Sequence, residues 1–108
     1  MINGELMPVV NSLKKDLHHY FGNRVSRIFL YGSYARGDYN ENSDVDIMVL
    51  LNDSPAWTDE KFVSGLSFEY MYNQNVLFSI MLQRGKQFDD VIGFYPFYQN
   101  IAHEGILL

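Results

Sequence analysis

The chain has 108 residues, no cysteine and a formal net charge of -5. The length suits one domain over residues 1–108. The lack of thiols excludes disulfides, thiolate catalysis and cysteine-bound zinc, and the acidic balance argues against a surface built to coat nucleic acid. A small anionic substrate stays compatible with that charge where a cation bridges the two. No charged-then-apolar leader opens the sequence, and no apolar run approaches the ~18 residues of a membrane span. The expectation is a soluble, cytoplasmic protein with no membrane partner.

In chain order, residues 4–21 predict a helix, because Leu6, Val9, Val10, Leu13, Leu17, Tyr20 and Phe21 recur at helical spacing. Pro8 sits early enough for a helix to tolerate it. Gly22 and Asn23 supply a stop. "VSRIFLY" (25–31) is β-branched and aromatic and predicts a strand ended by Gly32. "SYARG" predicts a short helix with Ser33 as its N-cap, and "DYNENS" is loop composition. "DVDIMVLL" predicts a strand, apolar on both faces and so covered on both sides. Ser54 and Pro55 predict the cap and first position of a helix running to Tyr72. "VLFSIMLQ" (76–83) predicts a third strand, residues 88–92 a helical turn, and Pro96 to Gly105 a last helix. The order implies an α/β fold with a small mixed sheet flanked by helices.

The chemistry concentrates in "YGSYARGDYNENSDVDIMVLL" (31–51). Asp44 and Asp46 are two apart on a strand and share one face. Two such carboxylates repel unless a cation lies between them or one is protonated. Mg²⁺ takes oxygen ligands of this kind together with substrate phosphates. Gly32 and Ser33 stand at a strand-to-helix turn. There a glycine admits close approach of a ligand, and the first helical N–H groups with the serine hydroxyl suit phosphate oxygens. Arg36 adds a cationic fork one turn later. These are the parts of a nucleotide-phosphate site. An EF-hand loop is excluded, since Ser43 and Val49 stand where that loop needs Gly and Glu.

Gly32-Ser33, ten further residues and then Asp44-x-Asp46, with Ala35-Arg36-Gly37 between, resemble the signature of the polymerase-β-like nucleotidyltransferase superfamily. The match is to its minimal nucleotidyltransferase domains. The tail "FYQNIAHEG" is similar to the last helix of some members. The resemblance implies the polymerase-β-like fold. It implies that Asp44 and Asp46 hold two Mg²⁺ ions around ATP or another nucleoside triphosphate, while Gly32 and Ser33 grip its phosphates. An acceptor hydroxyl would then attack the α-phosphorus and release pyrophosphate. It also implies a small helical partner of the HEPN type, whose tyrosine can receive AMP. A contact-only antitoxin with a vestigial nucleotide site is the rival expectation. Self-association suits exposed aromatics on so small a domain.

The chain departs from that family pattern at one place. Members carry a third carboxylate on the next long strand, but "VLFSIML" has no Asp or Glu, and Ser79 stands near the expected position. Glu69, Asp89, Asp90 and Glu104 are the other carboxylates nearby in sequence. His18-His19 and His103-Glu104 read as surface features of helices. Tyr31, Tyr34 and Tyr39 read as packed tyrosines, with base stacking the alternative.

Overall fold

The computed structural model describes residues 5–108. The first residue of the expected helix, Gly4, lies outside that range, and α1 spans Leu6–Phe21 with Glu5 at the cap position. Its buried positions, Leu6, Val10, Leu13, Leu17 and Phe21, form the apolar stripe that the periodicity predicts. Gly22 leaves the helix at φ 58, a conformation that glycine adopts freely, and opens a 3₁₀ turn into β1, Val25–Tyr31. There follow α2 (Ser33–Arg36), β2 (Val45–Leu51), α3 (Trp57–Gln74), β3 (Phe78–Arg84), α4 (Gly85–Val91), α5 (Pro96–Glu104) and β4 (Ile106–Leu107).

The sheet order is β3-β2-β1-β4. β1 is antiparallel to β2 and to β4, whereas β2 and β3 run parallel across the helical crossover α3. The sheet is therefore mixed, as expected. β2 lies inside it with both faces covered, and every residue from Ile47 to Leu51 is buried. Each such side chain contributes about 1.5–3 kcal/mol relative to exposure, so β2 is the element that the rest of the chain is built around.

Alternation along the strands divides the core. Ile28, Leu30, Ile47, Val49, Phe78 and Leu82 face α1 and α3. Met48 and Leu50 face the other way, with Phe88 of α4 and Ile101 of α5. Asp46 has the parity of Met48 and Leu50, which puts its carboxylate on the α4/α5 side of the sheet.

Several boundaries differ from expectation: β3 begins at Phe78 rather than Val76, α4 spans Gly85–Val91 rather than a turn at 88–92, and α3 runs on to Gln74. Ser33 is the first residue of α2 rather than its cap, and Gly32 holds the cap position. The N-cap of α3 is Ala56, not Ser54. The Asp59 carboxylate accepts the Ala56 N–H at 2.8 Å and is itself held by the partly exposed Arg24 at 2.7 Å, so this ion pair decides where the helix starts. β4, two residues long, carries no periodicity that a sequence reading can detect. It exists because Gly105 ends α5 and turns the chain back along β1.

Candidate active site

β1 delivers the site's first wall. It ends at Tyr31, and Gly32 then turns the chain at φ 74. The carbonyl of Gly32 accepts the N–H groups of Ala35 and Arg36 at 3.1 Å each, which closes the single turn of α2. The N–H groups of Ser33 and Tyr34 precede these bonds in the helix. A Cβ on Gly32 would overlap the Asp46 Oδ2 and stand 3.1 Å from its Cγ. Glycine is thus required here twice, by backbone conformation and by the carboxylate that fills the place of a Cβ.

β2 delivers the carboxylates. Asp46 lies across from Tyr31 on one side and from Ser79 on the other. It is half-buried, Asp44 is exposed, and the Val45 N–H between them is fixed to the Leu77 carbonyl at 2.8 Å. Burial pushes the Asp46 carboxyl above its ordinary pKa; the charge of Asp44 pushes the same way, and Arg36 opposes both. Burial, with the charge of Asp46, also pushes the Tyr31 phenol up to about 12. Tyr31 therefore stays protonated beside the carboxylate, its ring edge-on to Phe97 of α5 at 6.0 Å.

Arg36 reaches the same neighbourhood. Its guanidinium is paired with Asp38 at 3.2 Å and with Glu104 of α5 at 3.5 Å, and it lines a small cleft with Tyr31, Gly32 and Glu104. Both pairs are exposed, so each is weak enough for a phosphate to displace.

Ser79 is exposed and directly opposite Asp46, the place expected for a third carboxylate. Asp89 is paired with Arg27 at 2.8 Å and Asp90 with Lys86 at 3.1 Å. Glu69 lines a separate hollow with Asp16 and Tyr70. Among the four candidates, Glu104 is the one that reaches a residue of the motif. The sequence offers it only as one of four nearby carboxylates, at a helix end. Its signal was the tail "FYQNIAHEG", which carries no spacing relation to Arg36. His18, His19 and His103 are exposed, as expected. Tyr34 and Tyr39 stack on each other at 4.3 Å, while Tyr31 packs apart from them.

Two hard oxygen donors two residues apart, the charge of one raising the pKa of the other, suit a divalent cation. Among the described residues no group of three or more His, Asp or Glu could hold a metal ion. Waters and phosphate oxygens would complete the coordination of any ion held by Asp44 and Asp46.

A strand that runs into a Gly-Ser turn pairs here with a strand that carries Asp46, within a mixed α/β fold. The family model for the nucleotidyltransferase domain matches residues 10–84, and the chain belongs to that family. Two relatives from Methanocaldococcus jannaschii share the name "Putative protein adenylyltransferase". MJ0141 is 30% identical over 80 residues, covering 74% of this chain and 81% of its own length. MJ0604 is 31% identical over 99 residues, covering 92% and 89%. A crystal structure of a mutant of the toxin–antitoxin pair MntA–HpeT has the same fold, with a TM-score of 0.60 and 21% identity over 92% of this chain and 70% of that one. Among the described residues no helix is long and apolar enough to cross a membrane.

Proposed function

We propose that residues 1–108 act as one nucleotidyltransferase domain that moves AMP from ATP to a hydroxyl, the acceptor being a tyrosine on a small helical HEPN-type partner. The observation that carries this reading is the packing of Gly32 against Asp46. It sets the Gly32-Ser33 turn directly beside one carboxylate of the pair, across two neighbouring strands. The names of the protein adenylyltransferase relatives support the nucleotide and the protein acceptor. The toxin–antitoxin assembly of the structural neighbour supports a partner protein.

In this reading Gly32, Ser33 and Arg36 bind the triphosphate, and Asp44 and Asp46 bind Mg²⁺. The bound Mg²⁺ would neutralise charge on the phosphates. The acceptor oxygen bonds to the α-phosphorus as the bond to the bridging oxygen of pyrophosphate breaks. The acceptor's proton leaves to solvent, to which Asp44 is open. Tyr31, kept protonated, walls the pair on the β1 side. The cytoplasm supplies the ATP.

Ser79 favours a second reading, a contact-only antitoxin with a vestigial nucleotide site, because it puts no charge opposite Asp46. One assay separates the two: the protein, α-labelled ATP, Mg²⁺ and the product of the adjacent gene. The enzyme reading expects label on the partner, lost in both Asp44→Ala and Asp46→Ala. Full neutralisation of the partner by the double variant, with no label transferred by the wild type, would overturn it.

A further inference from the structure

The sheet has two edges, and they are built differently. β4 closes one of them with two residues, and so short an edge offers little for another strand to pair with. β3 forms the other with seven residues and pairs only with β2. Its ladder runs from Val45–Phe78 to Leu51–Arg84 without a register shift, so no bulge twists the edge away. It holds no proline and no lysine, the residues that commonly guard such an edge.

The ladder also decides which backbone groups face outward. The Val45 N–H donates to the Leu77 carbonyl at 2.8 Å, which turns the backbone groups of Leu77, and by alternation those of Ser79, Met81 and Gln83, toward β2. The N–H and C=O groups of Phe78, Ile80 and Leu82 therefore point to the open edge. Their side chains belong to the core on the α1/α3 face, while Ser79 and Met81 are exposed on the other face, Met81 to 41%.

Charge and symmetry select the occupant. Residues 70–83 form the longest run in the chain without a charged side chain. Two copies of a chain with a net charge of -5 repel over most of their surface, and this run is where they can meet without opposing charges. β3 is also complementary to itself. A two-fold axis through Ile80 sets it against Ile80 of a second copy, and sets Phe78 against Leu82 of that copy. Each of these pairs exchanges two N–H···O bonds. Between them, Ser79 faces Met81 of the second copy in the closer, non-hydrogen-bonded position. Such a contact is isologous and closes at two copies.

We infer that β3 is a dimerisation edge, at which two copies of this chain pair antiparallel about Ile80 and join their four-stranded sheets into one. The axis is perpendicular to the sheet, so both Asp46 side chains lie on the same face, three strand spacings or roughly 14 Å apart in the pairing direction. Met81 of the second copy then flanks Ser79, the residue opposite Asp46. This pairing is independent of the nucleotide reading.

Sedimentation equilibrium of the full chain over a concentration series reads the mass, and amide hydrogen exchange reads the edge. The expected result is a monomer–dimer equilibrium. The amides of Phe78, Ile80 and Leu82 should gain protection as the dimer forms, while those of Ser79, Met81 and Gln83, bonded to β2, stay protected throughout. Ile80→Pro removes an outward N–H, leaves the β2 ladder its bonds and should give a monomer. Met81→Glu, at an exposed side chain, places like charges diagonally across the axis. It should weaken the dimer by roughly tenfold or more, with an unchanged circular dichroism spectrum. A monomer at every concentration overturns the inference. So does a dimer in which Phe78, Ile80 and Leu82 exchange as in the monomer, or one that Met81→Glu leaves at wild-type affinity. Protection of those amides only when the product of the adjacent gene is added gives the edge to a different partner and overturns it as well.

Discussion

The carboxylate of Asp46 occupies the place where a Cβ on Gly32 would stand, so no side chain fits between them. Gly32→Ala should therefore separate folding from nucleotide binding. The alanine meets a φ of 74, a penalty of roughly 1–2 kcal/mol, and it drives the Asp46 side chain out of place. The expected outcome is a folded protein by circular dichroism with a lowered Tm and ATP affinity reduced beyond the reach of calorimetry. Unchanged ATP binding would remove the close approach from the argument.

Asp46 predicts a conflict between stability and site chemistry. Its folded-state pKa is raised, so the native state holds its proton more tightly than the unfolded state does. The sign follows directly: the charged form disfavours the fold, and this group's contribution falls as pH rises through the carboxylate range. In metal-free buffer Asp46→Asn should melt higher than wild type at pH 7. The gap should close as pH falls below the ordinary carboxylate pKa, while nucleotide binding is lost. Thermal melts from pH 3 to 7 with EDTA measure it, and a variant that melts lower at neutral pH contradicts it.

Ser79 offers a gain rather than a loss. Its side chain shares the Asp46 face one strand away, about 4.8 Å in the pairing direction. Ser79→Asp would put a third carboxylate on that face, at an exposed position where the fold tolerates the change. Mg²⁺-dependent ATP affinity should rise roughly tenfold, the scale of one added metal ligand. In EDTA the same variant should melt lower than wild type, because three like charges then face one another. Titrating Mg²⁺ at fixed ATP reads the first effect, and no change in Mg²⁺ dependence counts against the carboxylate pair as a metal site.

At the far end of the sheet, Asp59 works in the opposite sense. It is 2% exposed, bonded to Arg24 and to the Ala56 N–H, and these hold its carboxyl down to about 2, the Arg24 bond contributing most. A depressed pKa means stability that is full above the unfolded value near ~3.9 and lost as pH falls through about 2. Asp59→Ala should cost on the order of 2–3 kcal/mol at pH 7, since it strands a partly exposed Arg24 and uncaps α3. Urea melts at pH 7 and pH 2 check both parts: the difference from wild type should be large at the first and mostly gone at the second.

Local chemistry was legible in the sequence and long-range chemistry was not. The strand beginning near Asp44, the helix stripe of α1, and the glycine turn at Gly32 each follow from spacing within a few residues. The start of α3 was missed because Arg24, on another element, selects Asp59 and with it Ala56. Glu104 was missed as a partner of Arg36 for the same reason, since 68 residues separate them. The open edge at β3 needed the fold, because the order β3-β2-β1-β4 is set by pairings between distant segments. Ser79 is the intermediate case. Its strand was legible, but its place opposite Asp46 rests on a parallel register that no local pattern sets.

The contact of Arg36 with Glu104 bears on how the protein comes into being. A chain emerging from the ribosome presents Gly32, Ser33 and both aspartates long before residue 104. Until α5 docks, Arg36 lacks its α5 partner and Tyr31 lacks the Phe97 ring beside it. Nascent protein therefore holds an unfinished site, completed only as α5 closes against β1.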